Sequence, residues 1–134
     1  MSTANNDTVS SAGYPNPPEL RSRYVDPEAM EWQPSQFEGI ETKILWADPD
    51  TGRSTILFKL APGAVVPAHE HVDVEQTWVI AGSFEDHEGR AVAGQYIWRP
   101  GGNRHEARSV DGAVILGMFS APNRFDAGST FYTD

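Results

Sequence analysis

Gly63-Ala64-Val65-Val66-Pro67-Ala68-His69-Glu70-His71-Val72-Asp73-Val74-Glu75, closed by Gly82, and Gly94-Gln95-Tyr96-Ile97-Trp98-Arg99-Pro100-Gly101-Gly102-Asn103-Arg104-His105 are the two blocks on which the reading of this chain turns. They hold three of its four histidines, and glycines frame both. On a strand, residues two apart share a face, so His69 and His71 point the same way. Glu75 has the same parity and joins them if the strand runs on regularly past Val72-Asp73. His105 follows a tight Pro-Gly-Gly turn, from which a neighbouring strand can bring it opposite the pair. The glycines Gly63, Gly82, Gly94 and Gly102 fit places where a barrel wall turns sharply. Three imidazoles and one carboxylate suit Fe, Mn, Ni, Co, Cu or Zn and disfavour Ca or Mg. They predict one divalent ion held from two sides.

The sequence around these blocks reads as β throughout. Strand patterns cover Thr42 to Trp46 and Ser54 to Leu60, with the turn cluster Asp48-Pro49-Asp50-Thr51-Gly52 between them. Further strands are predicted over Glu75 to Ala81, ended by Gly82, then Phe84 to His87 and Ala91 to Val92 around a Glu88-Gly89 hairpin turn. Gln95 to Arg99, His105 to Val110 and Ala113 to Phe119 complete the set. Ile56, Phe58 and Leu60 share one face of their strand. Short strands at regular spacing without a helical period predict an all-β antiparallel sandwich or barrel. The two histidine blocks look like facing halves of one barrel.

The chain has 134 residues, which suits one domain. Residues 1–18 are polar, then Pro-rich, and are read as a flexible N-terminal arm; the domain is expected over residues 19–134, with its core at 40–121. Tyr24-Val25 and Met30-Glu31-Trp32 are read as short edge strands or arm contacts, with Trp32 and Phe37 docked. With no cysteine, any metal must sit on nitrogen and oxygen ligands. Net charge is −9, and an acidic surface repels phosphate backbones, so nucleic acid is not expected as a partner. No secretory leader is recognised and no apolar run approaches a membrane span, so the expected location is the cytoplasm.

The two blocks resemble the cupin family. Its first motif, G(X)5HXH(X)3-4E(X)6G, is matched by Gly63, His69, His71, Glu75 and Gly82. Its second, G(X)5PXG(X)2H(X)3N, is matched by Gly94, Pro100, Gly102 and His105, with Ser109 in place of the closing Asn. The resemblance covers residues 40–121. It implies a double-stranded β-helix (a jelly-roll barrel), a metal held by His69, His71, Glu75 and His105, and a homodimer. Within that family, Ala81 to Asp86, Tyr96 to Pro100 and Phe119 to Pro122 are similar to the ChrR-like branch. The branch includes a zinc anti-sigma sensory domain and small dioxygenases that cleave carbon–carbon bonds of diketones or acylphenols. The resemblance thus implies an oxygenase acting on a small organic substrate with Fe(II), which would leave open positions for O2 and a bidentate oxygen donor. Zn(II), Mn(II) and Ni(II) are the other metals considered. A zinc-binding sensory module, with His3Glu filling a four-coordinate shell, is the alternative. A metal-dependent isomerase or lyase is a third reading.

Glu75 has a second role open to it, a hydrogen bond to a ligand histidine from outside the shell. Arg104, Trp98, Phe58 and Met118 are candidate pocket residues, and Arg104 could grip a carboxylate or enolate. An ion pair at the surface is the plainer role for Arg104 and Arg108. Glu70 and Asp73 read as solvated carboxylates, and His87 as an exposed turn residue.

Overall fold

The computed structural model describes residues 13–126. Residues 1–12 of the expected arm, and residues 127–134, lie outside the described part; Gly13 to Pro18 are exposed. Ten strands follow in chain order: β1 (Gln33–Pro34), β2 (Ile40–Ala47), β3 (Ser54–Leu60), β4 (Val65–Glu70), β5 (Glu75–Glu85), β6 (Arg90–Val92), β7 (Tyr96–Arg99), β8 (Arg104–Arg108), β9 (Ala113–Phe119) and β10 (Arg124–Phe125). All pairings are antiparallel, in the order β1-β2-β3-β9-β5-β8-β4-β10, with β6 and β7 also paired to β5. The sheet curls around one core of Ile40, Ile56, Phe58, Leu60, Val66, Val79, Phe84, Ala107, Ile115 and Phe119, extended by Phe125. The chain is all-β, as its alternation predicts, and the inward face of β3 is the one carrying Ile56, Phe58 and Leu60.

The curl depends on β5. Its first half, Glu75 to Gly82, pairs with β9, and Ser83 to Glu85 pair with β6. One strand therefore serves both walls, and it changes direction at a register shift between Val79 and Ala81. Gly82 does not end the strand, as expected, but carries it around the corner with φ +76°. A Cβ there would lie 1.8 Å from the Gly112 carbonyl oxygen. Bends of this kind are where a strand tolerates and needs glycine. Ser109, in place of the family's Asn, is fully buried and its hydroxyl donates to the Ser83 carbonyl at 2.6 Å, fastening the far side of the same corner.

The N-terminal part docks differently from expectation. Tyr24 is 94% exposed, and the edge strand forms instead at Gln33–Pro34 against β2. Trp32 lies beneath both lysines, with Lys43 Nζ 4.6 Å and Lys59 Nζ 4.9 Å from its ring centroid. No described helix is long and apolar enough to cross a membrane.

Gly82→Ala should unfold far more readily than Gly63→Ala. The latter also takes positive φ but faces open space, so it should lose only about 1–2 kcal/mol. Gly82→Ala adds a backbone clash and should lose more than about 3 kcal/mol in urea unfolding; equal losses would contradict the corner role.

Candidate metal centre

β4 carries the first histidine. Its register against β8 shifts between Val66 and His69, and Pro67, which has no N–H to donate, occupies that bulge. The extra residue resets the alternation, so Val66 and His69 both point inward. His69 pairs directly with His105 across the two strands. The two blocks are thus hydrogen-bonded neighbours on one wall rather than opposite halves. His71 lies just beyond β4, held by its N–H to the Asn103 carbonyl at 2.8 Å and by the Gly102 N–H to its own carbonyl at 2.6 Å. The second glycine turn therefore positions a ligand from the first block. The chain then bends at Val72-Asp73, and Glu75 begins β5 instead of continuing the strand of the histidines.

All three histidines are buried. Each Nδ1 faces an oxygen acceptor: Pro67 O at 2.7 Å from His69, Asp86 Oδ2 at 2.7 Å from His105, and Glu75 Oε1 at 2.7 Å from His71, with Asn123 Oδ1 at 3.0 Å beside it. Those oxygens fix the proton on Nδ1 and leave the Nε2 lone pairs free. The Nε2 atoms converge, with His71 and His69 each 3.0 Å from His105. Three imidazole lone pairs aimed at one point repel each other and fit a cation. The three histidines could hold a metal ion.

Charge supports the same reading. The buried side chains of Glu75, Asp86 and Arg99 surround the imidazoles, with Arg99 Nη2 on Asp86 Oδ2 at 3.2 Å. Two carboxylates and one guanidinium leave one negative side-chain charge in excess beside the imidazoles, which is costly unless a cation joins it. Burial lowers His69 to about 4, against its hydrogen bond to Pro67. His105 is also lowered, by burial and by Arg99, against Asp86. Burial would raise Glu75, but the His71 hydrogen bond and nearby positive charge outweigh it and lower the carboxyl. Asp86 is lowered to about 2 for a like reason: hydrogen bonds from His105, the Glu88 N–H and Arg99 outweigh burial.

Of the predicted residues, His69, His71 and His105 come together. Glu75 is adjacent, but its oxygens are engaged by His71 and by the Thr77 hydroxyl at 3.3 Å, and it lies outside the convergent nitrogens. Phe58 lines the cavity in front of the histidines, with Leu60, Val66, Phe84, Ile115 and Phe119. Arg104, Trp98 and Met118 do not reach it. Trp98 is 60% exposed and Met118 lines an outer groove with Trp46 and Arg53. These two lie on the outward phase of β7 and β9, which strand parity alone could not assign. Arg104 forms ion pairs with Asp126 and Glu70, Arg108 pairs with Glu106, and His87 is exposed. Asp86, Arg99 and Asn123 were not singled out. Asp86 resembles an ordinary hairpin residue, since its other oxygen takes the Glu88 and Gly89 N–H groups.

The sequence profile of the ChrR Cupin-like domain matches residues 20–122. No curated protein sequence matches the chain. Among solved structures, a candidate acetylacetone dioxygenase from Methylibium petroleiphilum PM1 superposes with TM-score 0.74 at 23% identity, covering 84% of this chain and 87% of that one. An acetylacetone dioxygenase from Acinetobacter johnsonii gives 0.72 at 22% identity, covering 87% of both chains. The structure of Rhodobacter sphaeroides SigE with the anti-sigma ChrR gives 0.60 at 23% identity, over 69% of this chain and 49% of that one. These likenesses establish a shared fold.

The lowered His69 gives the metal-free protein a pH signature. Unfolded His69 takes a proton near its ordinary 6.5 and the folded residue near 4, so stability should fall as pH drops through that window. At about 1.4 kcal/mol per pKa unit the loss is about 3 kcal/mol. Urea unfolding from pH 7 to 4, read as wild type minus His69→Gln to remove the background of the other acids, should show this slope; parallel profiles would contradict it.

Proposed function

The chain belongs to the ChrR Cupin-like domain family, and from that premise we propose that it is a metal-dependent oxygenase cleaving a carbon–carbon bond of a small diketone-like or acylphenol-like substrate. The observation that carries the reading is the convergence of three Nε2 atoms beside an apolar cavity that His69 and His105 line. A divalent metal there, with Fe(II) the best suited, would supply Lewis acidity and a template for oxygen donors. Three imidazole donors approaching an ion from one side would leave further positions for substrate oxygens.

The chain's own groups favour an anionic ligand. A divalent ion would turn the uncompensated negative charge into one positive charge, which a singly charged enolate neutralises. Phe58, Phe84 and Phe119 line the cavity with His69 and His105 and leave it little room for water. The Asp86 carboxylate holds His105 from behind, and the hydrogen bonds from His105, the Glu88 N–H and Arg99 together keep it ionised.

One observation favours the alternative, a zinc-binding module without catalysis. The free space beside the histidines is about 20 Å³, room for about one water, so a bidentate substrate enters only if the phenylalanine walls shift. The anti-sigma ChrR, which shares this fold, is seen in complex with SigE, so a protein partner is a second kind of role open to this chain.

The chain should also self-associate. On the outer side of the wall formed by β2, β3, β9, β5 and β7 run two rows, Trp98-Gln76-Met118-Thr55-Trp46 and Tyr96-Trp78-Leu116-Leu57-Lys43, of which Leu57 and Lys43 are buried. Trp46, Trp78, Trp98 and Tyr96 are each about half exposed. At 150–250 Å² per aromatic side chain they offer roughly 400 Å², about half of the roughly 800 Å² per partner of a standard-size interface, and the part-exposed Leu116 and Met118 add to it. The face holds little net charge in a chain of −9, so two copies can meet there without strong repulsion.

Two measurements test these readings. Iron-loaded protein should consume O2 with an added β-diketone or acylphenol. Stoichiometric zinc, with no O2 uptake by the iron form, would assign the non-catalytic role. In sedimentation, the wild type should run as a dimer and Trp98→Glu as a monomer; a monomeric wild type would remove the interface.

A further inference from the structure

The chain's last described segment, beyond the match to the family profile, touches the metal centre in two places. Asn123 is buried, lines the cavity, and puts Oδ1 3.0 Å from His71 Nδ1. The Glu75 carboxylate at 2.7 Å can only accept, so His71 Nδ1 is the donor, and Asn123 must then face it with its amide oxygen. Two residues on, Phe125 is 3% exposed and lies between two rings, 4.8 Å from that of His69 and 5.0 Å from that of Phe37. β10 pairs Phe125 with His69 and Arg124 with Glu70, and the Asp126 N–H donates to the Ala68 carbonyl at 3.1 Å. Two of the three histidine rings are therefore set from the same short strap.

The strap's outer anchors are of a different kind. Arg104 Nη2 reaches both Asp126 carboxylate oxygens, at 2.9 and 3.0 Å, and Arg124 meets Glu70 at 3.5 Å. More than half of the Arg104, Asp126 and Arg124 side chains is exposed, and exposed pairs hold a segment weakly. Two residues of ladder and a few exposed ion pairs leave the strap the least fastened part of the wall around the histidines.

We propose that Asn123 to Asp126 is a positioning strap for the metal centre: Asn123 aims His71, Phe125 seats His69, and metal retention and strap docking are coupled. The proposal rests on the metal-binding reading above, although not on catalysis. Coupling is reciprocal. A docked strap tightens the metal, and the metal holds the strap down. Arg104 belongs to this device as an outer clamp.

The test uses the full chain and Co(II). Co(II) affinity and visible absorption are measured for wild type, Asn123→Ala and Phe125→Leu, with Ile56→Val as a core variant away from the cavity lining. Hydrogen exchange over residues 120–126 is followed with and without Co(II). Hydrogen-bond partners of ligand histidines are worth about 10–100-fold in affinity, so Asn123→Ala should bind that much more weakly and Phe125→Leu more weakly than wild type, both with an altered spectrum. Ile56→Val should keep both properties, and Co(II) should slow exchange in the wild-type strap. Wild-type affinity and spectrum in both strap variants, equal weakening in Ile56→Val, or exchange indifferent to Co(II) would each overturn the strap while leaving the metal reading in place. A wild type that binds no Co(II) overturns both.

Discussion

The structure depends on a repulsion that the protein holds in place. The His69 and His71 Nε2 atoms each lie 3.0 Å from that of His105, an arrangement that imidazole lone pairs would not choose. They are kept there because each Nδ1–H has an acceptor behind it: a backbone carbonyl for His69, a carboxylate for His105, and a carboxylate with an amide for His71. Different parts of the chain supply these acceptors, so the centre is assembled by the closed fold and not by the histidine blocks alone. Burial keeps His69 and His105 neutral near pH 7, the state a metal requires.

Two distortions of regular β structure make this closure work. The bulge at Pro67 lets His69 face inward beside His105. The corner at Gly82 lets β5 begin beside the histidines, with Glu75, and finish at Glu85, just before Asp86. One strand thus sets two of the outer acceptors on opposite sides of the centre. Arg99, at the end of β7 and paired in register with Glu75, balances one of the two carboxylates. The remaining charge is what a cation would compensate.

Much of this was legible in the sequence because period-2 alternation and turn residues report strands directly. Ala113 to Phe119 and Ser54 to Leu60 fall where the alternation puts them, and the histidine spacing brings the right nitrogens together. Glu75 is expected on the histidines' face only if the strand runs on regularly past Val72-Asp73; the chain bends there, and Glu75 begins β5. The misses have physical causes. Gly82 reads as a terminator because the same freedom of φ serves an end or a corner. Trp98 and Met118 alternate correctly but outward, and aromatic outer faces look like cores in a single sequence. Asp86 and Asn123 carry no local signal at all, since their role comes from partners 19 and 52 residues away.

The central claim is that three nitrogens hold the ion and Glu75 acts through His71. Metal content per chain after loading and exhaustive desalting, compared across wild type, His105→Ala and Glu75→Gln, tests it most directly. The account predicts one ion per chain in the wild type, none in His105→Ala, and an ion retained with weaker affinity in Glu75→Gln. Metal retained in His105→Ala, or lost from Glu75→Gln as completely as from His105→Ala, would contradict it.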